Sequence, residues 1–282
     1  YMAIAGAVFD AGIVAWEAKR AYDFVRPASA IPYLYQGQQV LAWGGPNQGA
    51  KVINGEDWQP YQQANFITPA FAEFTSGHST FSAAGAYTLA AFTGSDDLYD
   101  GVTTIGRDYD KDGVEDLLGQ HLAMPGTMRF EEGPAVPVVL RWSTLSEAAE
   151  EAGISRLYGG IHFQDGNLRG QESGKKAGAQ AYQLSELYWD PFGTIIKTVE
   201  EFAASGQIAQ FSATRLTHLA QRAQLAFSKR NPAQVCAHIR SIENTVFKVH
   251  NPIRGGKDFS NDARVRINQQ LEQVASLICS GH

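Results

Sequence analysis

Three glycines stand on every fourth position of a single segment: Gly170, Gly174 and Gly178, in a stretch running from about Leu168 to Leu187. Residues four apart lie one above another on a helix, so this segment carries a stripe bare of side chains. Each glycine weakens a helix by roughly 1 kcal/mol relative to alanine. Three on one face are tolerable where another backbone lies against them at short range. The chain must therefore fold around a close helix contact at this segment.

The other strong periodic segments are helical too. Residues 3–26 are alanine-rich, with Phe9, Ile13, Trp16 and Phe24 near helical spacing, which predicts a buried helix closed by Pro27. Because Tyr1 opens directly into what reads as the middle of that helix, a preceding segment or a separate chain is expected. A second helix is expected over about 79–92, ending at Thr93-Gly94. A third starts at Thr144-Leu-Ser-Glu147, a capping-box pattern, and continues to about Tyr158. Residues 28–70 and 95–137 have no sustained period and read as long loops, which in compact domains are usually functional. After Trp189-Asp190-Pro191 the pattern changes to three or four amphipathic helices, the last placing Val265, Leu271, Val274 and Ile278 on one stripe. No segment alternates as a strand. The expected fold class is mainly α: a helical-bundle catalytic domain with long loops over 1–196, and a small C-terminal helical module over 197–282.

A net charge of −6 without any Lys/Arg stripe argues against a nucleic-acid partner. No apolar run approaches the roughly 20 residues of a membrane span. Cys236 and Cys279 both fall in the C-terminal module. They are either two separate buried thiols or one disulfide stapling the helical tail in an oxidising compartment, and the disulfide is our expectation.

Chemistry concentrates in three short segments. Lys19 precedes Arg26-Pro27 by seven residues, a spacing that returns both cations to one face of a continuous helix. Ser76-Gly77-His78 precedes the second helix, so a hydroxyl, backbone amides and an imidazole sit at a helix N-terminus. Ser155-Arg156 is followed by Gly159-Gly160 and then His162; glycines inside a helix suggest the close approach of a ligand or another backbone. Taken singly, any of them could be chance, and the first two have an ordinary explanation: solvated charges and a plain N-cap. Together they supply three cations, a hydroxyl, a glycine amide and two imidazoles, an inventory that holds a phosphate-shaped anion.

In this order the motifs resemble those of the vanadium-dependent haloperoxidases and their relatives, the type 2 phosphatidic acid phosphatases and bacterial class A acid phosphatases, over roughly residues 5–190. The resemblance implies a vanadate cofactor with His162 as axial ligand. It implies that Lys19, Arg26, Arg156, Ser76 and the Gly77 amide hold the equatorial oxygens, with His78 as acid–base group and Lys19 as polariser of the oxidant. Trp16, three residues before Lys19, and Phe71, seven before His78, resemble the aromatic wall of fungal chloroperoxidases. Thr75 departs from the family, which has proline before Ser-Gly-His. The implied reaction is oxidation of halide by hydrogen peroxide to hypohalous acid, for bromide and iodide with chloride open, and a small organic acceptor as the final partner. The alternative is a phosphomonoesterase using His162 as nucleophile. Localisation is expected to be periplasmic or extracellular, and a homo-oligomer is left open.

A separate signal is the acidic loop from Asp108 to Asp116. Asp108, Asp110, Asp112 and Asp116 stand at positions 1, 3, 5 and 9 of a calcium-loop spacing, with Gly113 at 6 and the Val114 carbonyl at 7. Position 12 is Gly119 instead of glutamate, so a regular EF-hand is not expected. A structural calcium ion is favoured over a merely solvated loop, because four like charges in nine residues repel.

Overall fold

The computed structural model describes residues 1–108, 113–126, 133–248 and 258–279. The chain divides into two compact units, Tyr1–Tyr182 and Gln183–His282.

The first unit is built on helix against helix. α1 (Met2–Tyr22) and α4 (Leu145–Tyr158) both pack on α3 (Gly77–Thr93), and α5 (Gln164–Trp189) follows α4. The glycine stripe of α5 lies on α3. A Cβ added at Gly170 would come 2.8 Å from the Ser76 carbonyl oxygen, one at Gly178 would come 2.7 Å from that of Ala84, and one at Gly174 would strike the Thr80 carbonyl. Overpacking of this kind costs typically 1–3 kcal/mol. Gly174→Ala should therefore lower stability by about that amount in denaturant unfolding, and a neutral result would mean that the two helices are not held this tightly.

α1 departs from expectation in which face it buries. Ala3, Ala7, Ala11, Ala15 and Lys19 are buried, while Phe9 is 69 %, Ile13 52 % and Trp16 46 % exposed. Ala7 and Ala11 form a small-residue cluster with Ala84, Ala177 and Ala181. Such a seam needs small side chains, because bulky ones would hold the backbones apart. Pro27 does not close α1 as expected: that helix ends at Asp23 in a left-handed conformation (φ 44°), and Pro27 is the first residue of α2 (Pro27–Leu34), a helix within the stretch read as loop.

Short antiparallel hairpins occur in the first expected loop and across the end of the second. β1 (Gln39–Trp43) pairs with β2 (Ala50–Asn54), and β3 (Gln120–Ala123) with β4 (Val138–Arg141). Each strand has four or five residues, mostly exposed or half-buried. With neither face pressed against a core, no alternation is required of the sequence, and none is present.

Thr144 caps α4 as expected, its hydroxyl accepting from the Glu147 amide while the Glu147 carboxylate accepts from the Thr144 amide. The helix stops at Tyr158, so Gly159-Gly160 forms its exit turn and not its interior. Gly160 has φ +67°, and a Cβ there would sit 2.9 Å from Pro60, so a neighbouring backbone is the close approach.

In the second unit four helices, α6 (Pro191–Ala204), α7 (Gln210–Ser228), α8 (Pro232–Lys248) and α9 (Asn261–Ile278), enclose a core including Phe192, Ile195, Leu216, Ile239, Ile242, Ile267 and Leu271. On α9 the buried stripe is Ala263, Ile267, Leu271 and Val274; Val265, expected on it, is exposed. Cys236 and Cys279 are joined by a disulfide, so the reading of two separate thiols falls.

Candidate active site

Lys19 lies one turn from the end of α1, on the alanine face, and is 3 % exposed. Burying an ammonium requires compensation. Its Nζ donates to the carbonyls of Ala72 (2.9 Å), Glu73 (3.0 Å) and Thr75 (2.5 Å), bracing the turn that leads into α3. Burial, reinforced by the charge of Arg26 and opposed by that of Glu73, brings its pKa down to about 8.

Arg26 is not on α1, as a continuous helix would have required; it is the extended N-cap residue of α2. It reaches the same place through long-range bonds. Nε donates to the Phe71 carbonyl (2.8 Å), and Nη1 to the Ile161 carbonyl (2.7 Å) and to His162 Nε2 (3.1 Å). Its Nη2 is buried without a partner, as is Nε of Arg156. Burial holds both guanidiniums below their ordinary pKa, and for Arg26 the charge of Arg156 adds to the effect against that of Glu73.

His162 is buried, and its Nδ1 lies 2.6 Å from Glu73 Oε1. The same oxygen accepts from the Phe163 amide at 3.1 Å. Burial lowers the imidazole pKa, opposed by the Glu73 hydrogen bond and assisted by Arg26 and Lys19. His78, in the first turn of α3, is exposed; desolvation, Arg156 and His162 hold its pKa below the ordinary value. Ser76 caps α3, accepting weakly from the Ser79 amide at 3.4 Å. Its hydroxyl belongs to a buried network, with Ser79 Oγ 2.8 Å away and Asn167 Oδ1 2.6 Å beyond that. Gly77 follows Ser76, and a Cβ on it would approach the Trp16 ring at 3.6 Å.

Trp16 and Phe71 meet at 5.2 Å between ring centroids, and the Phe71 ring lies 5.1 Å from Lys19 Nζ and 5.0 Å from Arg26 Cζ. The aromatic pair thus flanks the cations. All seven residues of the three motifs therefore converge on one region. Lys19 and Arg26 share the field of one buried carboxylate, Glu73, Arg156 adds its charge beside Arg26 and His78, and the buried Arg26 Nη2 and Arg156 Nε have no partner. Such a cluster fits a tetrahedral oxyanion such as vanadate, which would supply both the missing charge and the missing acceptors.

Two features were not foreseen. Lys19 has its three donors engaged by carbonyls, so toward an anion it acts first as a fixed buried charge. Glu73 was missed altogether; the signal for it was one carboxylate inside the apolar run Phe71-Ala72-Glu73-Phe74.

Near the other expected site, Asp110 and Asp112 lie outside the described residues. Asp108 Oδ2 accepts from the Gly113 amide at 2.9 Å, and the Asp116 amide donates to the Arg107 carbonyl. Among the described residues no group of three or more His, Cys, Asp or Glu side chains is placed to hold a metal ion. Likewise no helix among them is long and apolar enough to cross a membrane.

The cationic cluster predicts a pH dependence. The imidazoles already have lowered pKa values, so between neutrality and pH 9 the group in the cage that changes charge is Lys19, at about 8. Protonated Lys19 favours an anion. Binding of tungstate, whose charge is constant over this range, should thus weaken as pH rises through about 8, followed by calorimetry. A flat profile would remove Lys19 from the anion's surroundings.

The model of the VCPO second helical-bundle domain matches residues 1–191. Among solved structures, the chain is similar to a holo-type bacterial vanadium-dependent chloroperoxidase, with 24% identity, a TM-score of 0.53, and coverage of 64% of this chain and 34% of that one. An apo-type bacterial vanadium-dependent chloroperoxidase gives 24% identity, a TM-score of 0.55, and coverage of 66% and 35%. The chain thus spans about a third of the length of those chloroperoxidases. No curated protein matches it. With the family model covering the whole of the site and most of the chain, the protein belongs to the family of the VCPO second helical-bundle domain, that of the vanadium-dependent haloperoxidases.

Proposed function

We propose that this chain carries the vanadate site of a haloperoxidase that oxidises bromide and iodide, with chloride as the harder substrate, using hydrogen peroxide. The observation that carries the reading is the convergence of Arg26, Arg156 and His162 on one buried region, with Arg26 Nη2 and Arg156 Nε lacking any partner. Arg26, Arg156 and the buried charge of Lys19 would neutralise the oxyanion, with Ser76 Oγ and the Gly77 amide alongside. His162 would bind it through Nε2. Vanadate, when bound, supplies a Lewis-acidic centre that activates peroxide without changing its own oxidation state.

His78 takes and returns the peroxide proton at its imidazole, and its lowered pKa keeps it a free base near neutrality. The fixed cations stabilise the charge that develops as halide attacks, and they need no reorganisation to do so. Trp16 and Phe71 add an apolar wall without a titratable group, which leaves proton handling to His78. The hypohalous acid formed would then meet a small organic acceptor. The reading includes a structural calcium ion at 108–116, resting on sequence spacing alone, and a periplasmic or extracellular location, in keeping with the disulfide.

The deciding experiment pairs two assays: halide-dependent bromination of a phenol dye with vanadate and peroxide, and phosphate release from a chromogenic ester. Bromination without appreciable phosphate release is expected. Phosphate release without bromination would hand the site to the phosphomonoesterase reading, with His162 as nucleophile. Neither activity, with no oxyanion bound, would leave the cage without purpose and overturn both.

A further inference from the structure

We propose that Glu73 is a positioning residue which, together with Arg26, locks His162 into the tautomer protonated at Nδ1, so that the bare nitrogen is Nε2, which accepts from Arg26 Nη1 here and would exchange that bond for the oxyanion. The inference rests on the oxyanion reading for its purpose, but not for its geometry. A neutral imidazole has one N–H and one bare nitrogen, and its neighbours decide which is which. At Nδ1 stands a carboxylate oxygen, which accepts, 2.6 Å away. At Nε2 stands a guanidinium nitrogen, which can only donate, 3.1 Å away. Both contacts specify the same tautomer. The opposite one would leave Nδ1 bare against a carboxylate and set Nε2–H against an Arg N–H, two repulsive contacts in a buried place.

The carboxylate is itself held. Glu73 is 1 % exposed, and the Phe163 amide donates to the oxygen that meets the ring. Lys19 Nζ holds the Glu73 carbonyl, and the Glu73 amide donates to the Phe24 carbonyl. The carboxyl group rests directly on the backbone of Gly166, where an added Cβ would collide with Oε1, Cδ and Oε2. Gly166 in turn accepts from the Ser76 amide through its carbonyl, which ties this seat to the start of α3. The absent side chain at 166 is thus what makes room for Glu73. A carboxylate behind a ligating imidazole orients the ring and raises its basicity, and its loss usually costs 10–100-fold in affinity.

The test reads the ring nitrogens directly, without vanadate. In protein labelled with 15N-histidine at about pH 8, the His162 signals, assigned by their absence in His162→Ala, should show a protonated Nδ1 and a bare Nε2. Glu73→Gln keeps an acceptor at Nδ1 and removes only the charge, so it should keep this pattern. Glu73→Leu and Gly166→Ala, which remove or displace the acceptor, should lose it. Orthovanadate affinity should fall roughly 10–100-fold in those two variants and recover most of that loss in Glu73→Gln. Wild-type His162 protonated at Nε2, or an unchanged pattern in a folded Glu73→Leu or Gly166→Ala, would overturn the inference. Should both of those variants fail to fold, wild type and Glu73→Gln still decide it. The expected tautomer in a wild-type protein that binds no oxyanion would instead defeat the vanadate reading and leave the positioning contact standing.

Discussion

His162→Ala should abolish vanadate binding, and with it all halide-dependent turnover. The ring is buried between Arg26 and Glu73, so its removal takes away the nitrogen that would bind the oxyanion and leaves both neighbours facing a void. His78→Ala should behave differently. That ring is exposed and shares no hydrogen bond with the Arg26–His162–Glu73 chain, so vanadate should still bind. Loss of an acid–base group typically costs about 10²–10⁴ in rate. Equilibrium dialysis of vanadate beside steady-state bromination separates the two roles. Equal loss of binding and turnover in both variants would contradict them.

The second large effect lies in the C-terminal unit. The Cys236–Cys279 bridge closes 43 residues of chain. In the chain-entropy view, a cross-link of that span contributes about 4 kcal/mol by restricting the unfolded state. A four-helix unit of this size has only about 5–15 kcal/mol in total. Cys236→Ser/Cys279→Ser should therefore melt this unit well below the parent protein, by on the order of 15 °C or more. The Lys19–Glu73–His162 contacts, all within the first unit, should persist. Circular dichroism follows the helices, and the His162 ring signals follow the site. A loss under about 1 kcal/mol would mean that packing around Ile239, Ile267 and Leu271 suffices without the bridge.

What was legible in the sequence was legible for local reasons. A capping box at Thr144 and Glu147 and an N-cap at Ser76 work through atoms within one helical turn, and glycines four apart on α5 mark one bare face by spacing alone. Such signals keep their meaning whatever surrounds them. The three anion motifs were legible in another way, because their residue types and order together resemble one family, even though the reason first given for pairing Lys19 with Arg26 did not hold. That pair is not two positions on one helix face. The chain turns at Asp23, and Arg26 returns through bonds to Phe71, Ile161 and His162, each remote in sequence.

The sequence by itself thus determined most of the helices, the caps at Ser76 and Thr144, and the chemical inventory of the site, but not α2, which lies in a stretch read as loop. Tertiary structure alone decided which faces are buried. On α1 the aromatic residues carry the hydrophobicity, yet the alanines face inward, because α3 and α5 offer a surface that only small side chains can approach closely. The short hairpins likewise exist through pairing rather than through pattern. Glu73 is the sharpest case. Its apolar neighbours mark it as unusual but give it no role; the seat left by Gly166 and the arrival of His162 from 89 residues away give the carboxylate its place. Burial and hydrogen bonding between distant segments depend on partners that no local window of sequence contains, and that is where the geometry of this site was settled.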